Sequence, residues 1–239
     1  MTDPADARSV AFERWWNVRD LGGLPTRTGG ATRFGVLIRA ASPAYATPAD
    51  VDRARRLGFT TFVDLRMPGH PPDWRATAPD VATVGVDLVG SLNRPPDGSV
   101  EQMLRLLLDG CRAEVARAVD EVARLARQSP PVVFHCHTGK DRTGLIAIVM
   151  LSLASVPEEA IIADYMASNP GFEAMRAALT AGGESEFMPG APAAFQGPVS
   201  PSGAEAALTF LQESGGAVAY LESGGLSAAA IERSASLLV

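Results

Sequence analysis

The amino-acid sequence predicts an α/β fold, with a central, mostly parallel β-sheet flanked by helices and additional helices at the C-terminus. Short apolar runs typical of buried strands alternate with longer stretches of helical periodicity, and residues 204–239 carry only helical patterns. The chain has 239 residues and is 46% hydrophobic, which is enough for one sizeable core. We therefore expect a single domain over residues 1–239, with a C-terminal helical part from about residue 170.

The first half of the chain contains most of the predicted strands. Two Gly-Gly pairs between short β-prone pieces in residues 17–40 predict a hairpin-like start of the sheet. A helix should follow, because Thr47 fits its N-cap, Pro48 its first turn and Gly58 its end. Buried strands are then predicted at residues 59–65 and 81–86.

The second half is mainly helical. A helical pattern over residues 101–128 is broken at Gly110, and a four-residue strand at 132–135 precedes helices at 142–154 and 156–168. Residues 182–203 are rich in Gly and Pro, which predicts a long loop; whether it covers a functional site as a lid is left open. Two or three short helices should complete the chain.

Composition excludes several classes of function. The net charge is −6 and no broad basic region occurs, so we expect no nucleic-acid partner. The longest apolar run, residues 145–154, is about half a membrane span, so no transmembrane segment is predicted. Two cysteines and no apolar signal region favour the cytoplasm, although export without a recognisable signal stays open.

The stretch HCHTGKDRTG, residues 135–144, links the last predicted strand to a helix. A loop before a helix N-terminus directs backbone N–H groups towards an anion, and the helix dipole adds positive potential. The spacing Cys-(x)5-Arg therefore indicates a phosphate site. The residues expected to surround the phosphate are His137, Thr138, Gly139, Lys140, Asp141 and Arg142.

Each side chain of this loop has a use in phosphate chemistry. A thiolate at Cys136 would attack phosphorus, and the planar fork of Arg142 would hold two phosphoryl oxygens. Thr143 could donate its hydroxyl to the sulfur. We expect His135 to point away from the ligand and to orient the loop through a backbone bond. Lys140 would add a second positive charge at the rim, suited to a substrate with more than one phosphate.

The leaving group needs a general acid. Asp141, inside the loop, is the nearest candidate. Asp87, after the strand at 81–86, is its rival, and Asp64, at the end of another strand, is the third. The sequence leaves this choice open. Neither a metal nor an organic cofactor is expected, since the only other histidine is His70 and the HCH triplet has no second Cys/His cluster to complete a metal site.

HCHTGKDRTG resembles the phosphate-binding loop of the cysteine-dependent protein tyrosine phosphatases, and Lys140 and Asp141 narrow the resemblance to the atypical bacterial members. Four further stretches and the C-terminal helices resemble that family: NVRDLGG (17–23), LIRAASP (37–43), FVDLR (62–66), IIADYMASN (161–169) and residues 215–238. The resemblance covers about residues 12–239. It implies a tyrosine-phosphatase-like fold.

The resemblance also implies an activity. Cys136 would be the nucleophile and Arg142 the phosphate clamp, with Lys140 and Asp141 tied to a broad specificity. Substrates would be phosphotyrosine proteins, also phosphoserine and phosphothreonine proteins, with phosphoinositides as the alternative; inorganic phosphate would be product and inhibitor. The sequence departs from the family pattern at His137 and at Thr138, on the lip of the loop, and lacks an acid near His70.

The sequence leaves other interpretations of these residues open. Cys136 could be a buried structural thiol or a redox sensor, and the loop could belong to a non-catalytic phosphate-binding module. Arg19 and Asp20 could touch substrate, but a structural ion pair that fixes the entry segment is favoured. Cys111, in a helical pattern without supporting polar residues, is expected in the core.

Overall fold

The computed structural model describes residues 7–69, 73–92, 98–183 and 195–239. It contains a five-stranded sheet whose strands are β1 (Arg19–Asp20), β2 (Leu37–Ala40), β3 (Thr61–Asp64), β4 (Ala82–Gly85) and β5 (Val132–His135). Their order across the sheet is β1-β2-β5-β3-β4. Only β1 is antiparallel to its neighbour, and the other pairs are parallel. The predicted mostly parallel sheet is confirmed.

Helices follow or precede each of the parallel strands. Two short 3-10 helices lie at Pro43–Tyr45 and Trp74–Thr77. The α-helices of the described residues are α1 (Pro48–Arg56), α2 (Val100–Gly110), α3 (Arg112–Gln128), α4 (Arg142–Leu153), α5 (Glu158–Met166), α6 (Ser168–Ala181), α7 (Pro201–Glu213), α8 (Gly216–Ser223) and α9 (Ala228–Ala235).

Local sequence signals account for the ends of these helices. The side chain of Thr47 accepts from the amide of Asp50, and the Asp50 carboxylate accepts from the amide of Thr47, which is a complete capping box for α1. The predicted break at Gly110 separates α2 from α3, and Cys111 lies buried at the junction, as expected for a core thiol.

Side chains of the sheet alternate between two apolar layers, as the period of a strand requires. Leu37, Val132 and Phe134 face the larger core, which is closed by α2 to α5 and α7 to α9. Ile38 and Val133 face a smaller cluster with α1 and the N-terminal segment. The apolar α4 is buried along almost its whole length between these elements and the C-terminal helices.

The predicted loop at 182–203 is wrong at its C-terminal end. Helix α7 already begins at Pro201, because proline is compatible with the first turn of a helix. Residues 184–194 of this predicted loop lie outside the described part of the chain, and so does His70. The helices α7, α8 and α9 agree with the two or three expected here. Within the described ranges, the helices are all too short or too polar to cross a bilayer.

Candidate active site

The predicted phosphate loop, residues 136–141, lies between the end of β5 and the start of α4. Four parallel strands end at this edge of the sheet, so the residues after β2 and β3 lie on either side of the loop. Ligands of open α/β sheets bind beyond the carboxyl ends of the strands. The topology therefore brings together, at one edge of the sheet, residues that lie about a hundred positions apart in the sequence.

Every backbone carbonyl of this loop accepts a hydrogen bond from within the protein. Those of residues 140 and 141 accept from the amides of residues 144 and 145 in the first turn of α4, at 3.0 and 2.8 Å. The carbonyls of residues 136–139 accept from four donors: His135 Nδ1 to Cys136 (3.0 Å), the Ser42 amide to His137 (2.9 Å), Asn17 Nδ2 to Thr138 (3.0 Å) and Arg39 Nη2 to Gly139 (3.0 Å).

The amides of the same loop are arranged differently. None of the described residues accepts a hydrogen bond from the backbone N–H groups of residues 138–141. Buried amides are normally paired, and a run of unpaired ones at a helix N-terminus is the arrangement that binds an anion. The loop thus turns its carbonyls towards the protein and keeps its amides for a ligand.

Gly139 makes the tight curvature of the loop compatible with the end of β2. Its φ is +72°, in the left-handed region that favours glycine. A Cβ at this position would lie 2.4 Å from the carbonyl oxygen of Ala40 and 2.6 Å from the amide nitrogen of Ala41. Both contacts are with backbone, so no side-chain rearrangement would relieve them.

Cys136 and Arg142 begin and end the loop. The Cys136 side chain is free of a disulfide, and the residue is 2% exposed. Arg142 is half-buried and donates from Nη1 to the carbonyl of Leu65 at 3.3 Å, which holds the guanidinium between the loop and the residues after β3. The Thr143 hydroxyl is buried and has no hydrogen-bond partner among the described residues, so the predicted bond to the Cys136 sulfur is not formed.

The predicted position of Lys140 at the rim is wrong, because its side chain is 0% exposed. Its ammonium group donates to both carboxylate oxygens of Asp141, at 3.0 and 2.8 Å, and lies 5.1 Å from the centre of the Phe172 ring. Pairing with a carboxylate offsets the cost of taking an ammonium group out of water. His137 is half-buried, whereas Thr138 and Asp141 are buried.

A buried cluster of arginines lies behind the loop around one carboxylate, Asp164 of α5. The carboxylate accepts from Arg8 at 2.7 Å, from Arg19 at 3.1 Å and from Arg39 at 2.6 Å. These arginines hold the pKa of Asp164 well below its usual range despite burial, and burial together with Arg39 lowers the pKa of Arg19 to about 10. The three arginines and the single carboxylate give this cluster a net positive charge, which favours the binding of an anion in the neighbouring loop.

The expected structural ion pair is formed by Arg19, with Asp164 as its partner, but not by Asp20. Successive residues of a strand point to opposite faces, so the side chain of Arg19 reaches Asp164 while Asp20 turns away. The Asp20 carboxylate accepts instead from the amides of Gly22 and Gly35, at 2.8 and 2.7 Å. Arg19 and Asp20 thus fix different parts of the N-terminal segment.

Asp64, the third candidate for the general acid, does not fit this role. Both of its oxygens accept from Arg66, at 2.6 to 3.1 Å, and Arg75 Nη2 lies 3.3 Å away. Hydrogen bonds from Arg66 and the nearby positive charges hold the pKa of Asp64 below its usual range, against the opposing effect of burial. Arg66 in turn donates to the hydroxyl of Ser42, beside the loop.

Asp87 follows β4 at the same edge of the sheet, two strands away from the loop. It is half-buried, and its carboxylate accepts from the amide of Val89 at 3.0 Å. Its charge, with that of Glu114, helps burial to raise the pKa of Cys111 to about 11. The structure therefore places Asp87 towards the junction of α2 and α3, whereas Asp141 lies in the loop itself.

Sequence reasoning missed the residues that hold the loop from outside. Asn17, Arg39 and Ser42 lie in stretches whose resemblance to a phosphatase family was recognised, as does Asp164, so the signal was present without a role attached. Arg75, which contacts His135, carries no such signal. Within the described ranges no group of three or more His, Cys, Asp or Glu side chains is placed to hold a metal ion.

Known proteins resemble this chain over most of its length. A tyrosine-protein phosphatase of Cupriavidus necator is 31% identical over 67% of this chain, and the match spans 63% of that relative's length. The triple specificity protein phosphatase PtpB of Mycobacterium tuberculosis is 28% identical over 69% of this chain and 71% of its own. The crystal structure of P. aeruginosa TpbA in complex with pTyr covers 75% of this chain and 90% of its own, with 20% identity and a TM-score of 0.45.

The sequence profile that defines the tyrosine phosphatase family matches residues 10–239. This range includes the strand, the loop and the helix of the candidate site, together with Asn17, Arg39 and Asp164, which surround the loop from outside. The chain therefore belongs to the tyrosine phosphatase family.

Proposed function

We propose that this protein is a cysteine-dependent phosphomonoester hydrolase that acts on phosphotyrosine proteins. One observation carries the proposal: the six carbonyls of residues 136–141 are bonded to the protein, while the amides of residues 138–141 are left for a ligand. With the thiol of Cys136 at the start of the loop and the guanidinium of Arg142 at its end, such a loop fits a phosphoryl group.

The reaction proceeds in two steps. The Cys136 thiolate attacks phosphorus, so an S–P bond forms and the bond from phosphorus to the ester oxygen breaks. Loop amides and Arg142 stabilise the charge on the equatorial oxygens. Asp141, in its protonated form, gives a proton to the departing oxygen and becomes a carboxylate. Water then attacks phosphorus and yields its proton to Asp141, which breaks the S–P bond, releases phosphate and restores the thiolate.

Several features favour a substrate with one phosphate over a phosphoinositide with several. Lys140 was the residue expected to bind a second phosphate, but its ammonium is buried against Asp141. Its charge becomes available only if that pair opens. One of the relatives is named as a tyrosine-protein phosphatase and another as a triple specificity protein phosphatase, in agreement with phosphoprotein substrates. Because the nucleophile is a thiolate, we also propose a reducing compartment, the cytoplasm.

Initial rates on p-nitrophenyl phosphate, a phosphotyrosine peptide, a phosphoserine peptide and a phosphoinositide headgroup test this function. The wild type should turn over the first two fastest between pH 5 and 8. Cys136→Ser should abolish turnover but keep binding of a phosphate analogue, and Cys111→Ser, at the other free cysteine, should keep the wild-type rate. A wild type without turnover on any of the four would overturn the proposal and favour a binding module.

Lys140→Ala separates the two substrate classes. If Lys140 selects substrates with a second phosphate, the variant should lose activity on the phosphoinositide headgroup more than on the phosphotyrosine peptide. An equal loss on both would assign Lys140 to holding Asp141, which is the role that its burial favours. A phosphoinositide rate above the peptide rate in the wild type would contradict the proposed preference.

A further inference from the structure

Arg75 lies on the short helix Trp74–Thr77 and reaches the residue that precedes the nucleophile. Its Nη1 is 2.6 Å from Nε2 of His135, and both side chains are buried. A guanidinium has only donors, so Nε2 of His135 must accept and therefore carries no proton. The ring proton of a neutral imidazole is then on Nδ1, which lies 3.0 Å from the carbonyl oxygen of Cys136.

The guanidinium of Arg75 is fixed on its other sides as well. Its Nε and Nη2 donate to the two carboxylate oxygens of Asp73, each at 2.8 Å, and Nη2 lies 3.3 Å from Asp64 Oδ2. The group also stands over the ring of Phe62, 5.1 Å from its centre. A donor held by so many contacts loses little entropy when it bonds His135.

Opposing charges face His135. The Asp64 carboxylate, 3.7 Å from Nε2, favours an imidazolium, whereas Arg75 and Arg66 disfavour it. Burial is the largest cause that lowers the pKa of His135, to about 3, and the two arginines add to its effect. Without Arg75, the Asp64 carboxylate, 3.7 Å from Nε2, would favour a proton there.

We propose that Arg75 is a positioning residue of the active site: by donating to Nε2 it keeps His135 as the neutral Nδ1–H tautomer, whose proton holds the Cys136 carbonyl. The effect on catalysis rests on the proposed function, whereas the tautomer does not. An imidazole protonated only on Nε2 would have no proton for the Cys136 carbonyl, and the first bond of the loop would be lost.

The tautomer can be read directly in the wild-type protein. Long-range proton–nitrogen NMR spectra distinguish protonated from bare ring nitrogens, and the chain has three histidines. Substitution of His70 and of His137 by Gln assigns the signals. Between pH 5 and 8, His135 should show a protonated Nδ1 and a bare Nε2 without titrating. A proton on Nε2, or a titration within this range, would overturn the proposal even if the enzyme is active.

Kinetics of Arg75→Met then measure the consequence. Misplacement of a nucleophile costs up to about 100-fold in rate, so kcat should fall about 10- to 100-fold with little change in KM. The pH profile should also gain a step where His135 then titrates, because the imidazolium keeps a proton on Nδ1 whereas a neutral ring protonated on Nε2 does not. Arg75→Lys keeps the charge and should retain more activity, and it serves in place of Arg75→Met if that variant does not fold.

Arg55→Met is the matched control. Arg55 packs over the ring of Trp74, next to Arg75, but pairs with Asp80 at the surface and makes no contact with His135 among the described residues. It should keep the wild-type rate and pH profile. If the two Arg75 variants matched the Arg55 control in kcat and in pH profile, Arg75 would have no positioning role. A wild type without turnover, with His135 as the Nδ1–H tautomer, would refute only the proposed function.

Discussion

The ammonium of Lys140 lies 2.8 and 3.0 Å from the two carboxylate oxygens of its neighbour Asp141, and both side chains are buried. Two adjacent residues in one loop thus form a charge-neutral pair beneath the proposed phosphate site. The pair explains how a lysine is accommodated in the interior. It also ties the proposed general acid to a partner.

Removal of one member of this pair should destabilise the protein. Lys140→Met leaves the Asp141 carboxylate buried without its partner, which costs about 3 kcal/mol for a buried ion pair. Urea unfolding at pH 7 measures the change. The double variant Lys140→Met/Asp141→Leu should recover part of the loss, because no unpaired charge is left. Arg124→Met, which breaks the exposed pair with Glu121, should change stability by about 0.5 kcal/mol or less. A Lys140→Met variant as stable as this control would refute the account of the pair.

The general acid is tested by comparing Asp141→Asn with Asp87→Asn. We expect Asp141→Asn to lower kcat by about 100- to 10,000-fold on a phosphotyrosine peptide, and to remove the limb of the pH–rate profile that reports the acid. Asp87→Asn should keep both limbs, since Asp87 lies two strands from the loop. Substrates with a better leaving group should be less affected by Asp141→Asn. Loss of the limb in the Asp87 variant alone would transfer the role to Asp87.

Stability should fall as the pH is lowered from 7 to 5. The pKa of His135 is about 3 in the folded chain, whereas its ordinary value is 6.5. Below pH 6.5 the unfolded chain therefore binds a proton at this residue that the folded chain does not bind. The contribution is present in full above pH 6.5 and is lost as the pH falls towards 3. By pH 5 the loss amounts to about 2 kcal/mol.

Urea titrations at pH 7 and pH 5 measure this difference. His135→Asn keeps a donor near the Cys136 carbonyl but does not titrate, so its stability should change less between the two pH values. Equal pH dependence in the wild type and His135→Asn would show that His135 is not the source.

Local signals in the sequence were sufficient to predict many, but not all, elements of the fold. The capping box at Thr47 and Asp50 and the break at Gly110 are encoded within a few residues, so they could be recognised directly. The loop of the site was recognised in the same way, because Cys136 and Arg142 lie on one short stretch between a strand and a helix.

Pairings between distant residues could not be predicted. Arg39 meets Asp164 across 125 positions, and Arg75 meets His135 across 60. The sequence shows that such side chains are polar but does not show which partner the tertiary structure brings to each. The same reason accounts for the wrong position of Lys140: a lysine in a Gly-bearing loop is usually solvated, and only the fold shows that Asp141 and Phe172 surround it.

The central claim is that Cys136 forms a covalent bond to phosphorus, and acid quenching during turnover tests it most directly. A substrate labelled in its phosphoryl group is mixed with the enzyme, the reaction is stopped within one turnover, and the labelled peptide is identified by mass spectrometry. The account predicts a phosphoryl group on Cys136 that is absent in Cys136→Ser and present in Cys111→Ser. Steady turnover in Cys136→Ser, or a phosphoryl group on another residue of the wild type, would contradict it.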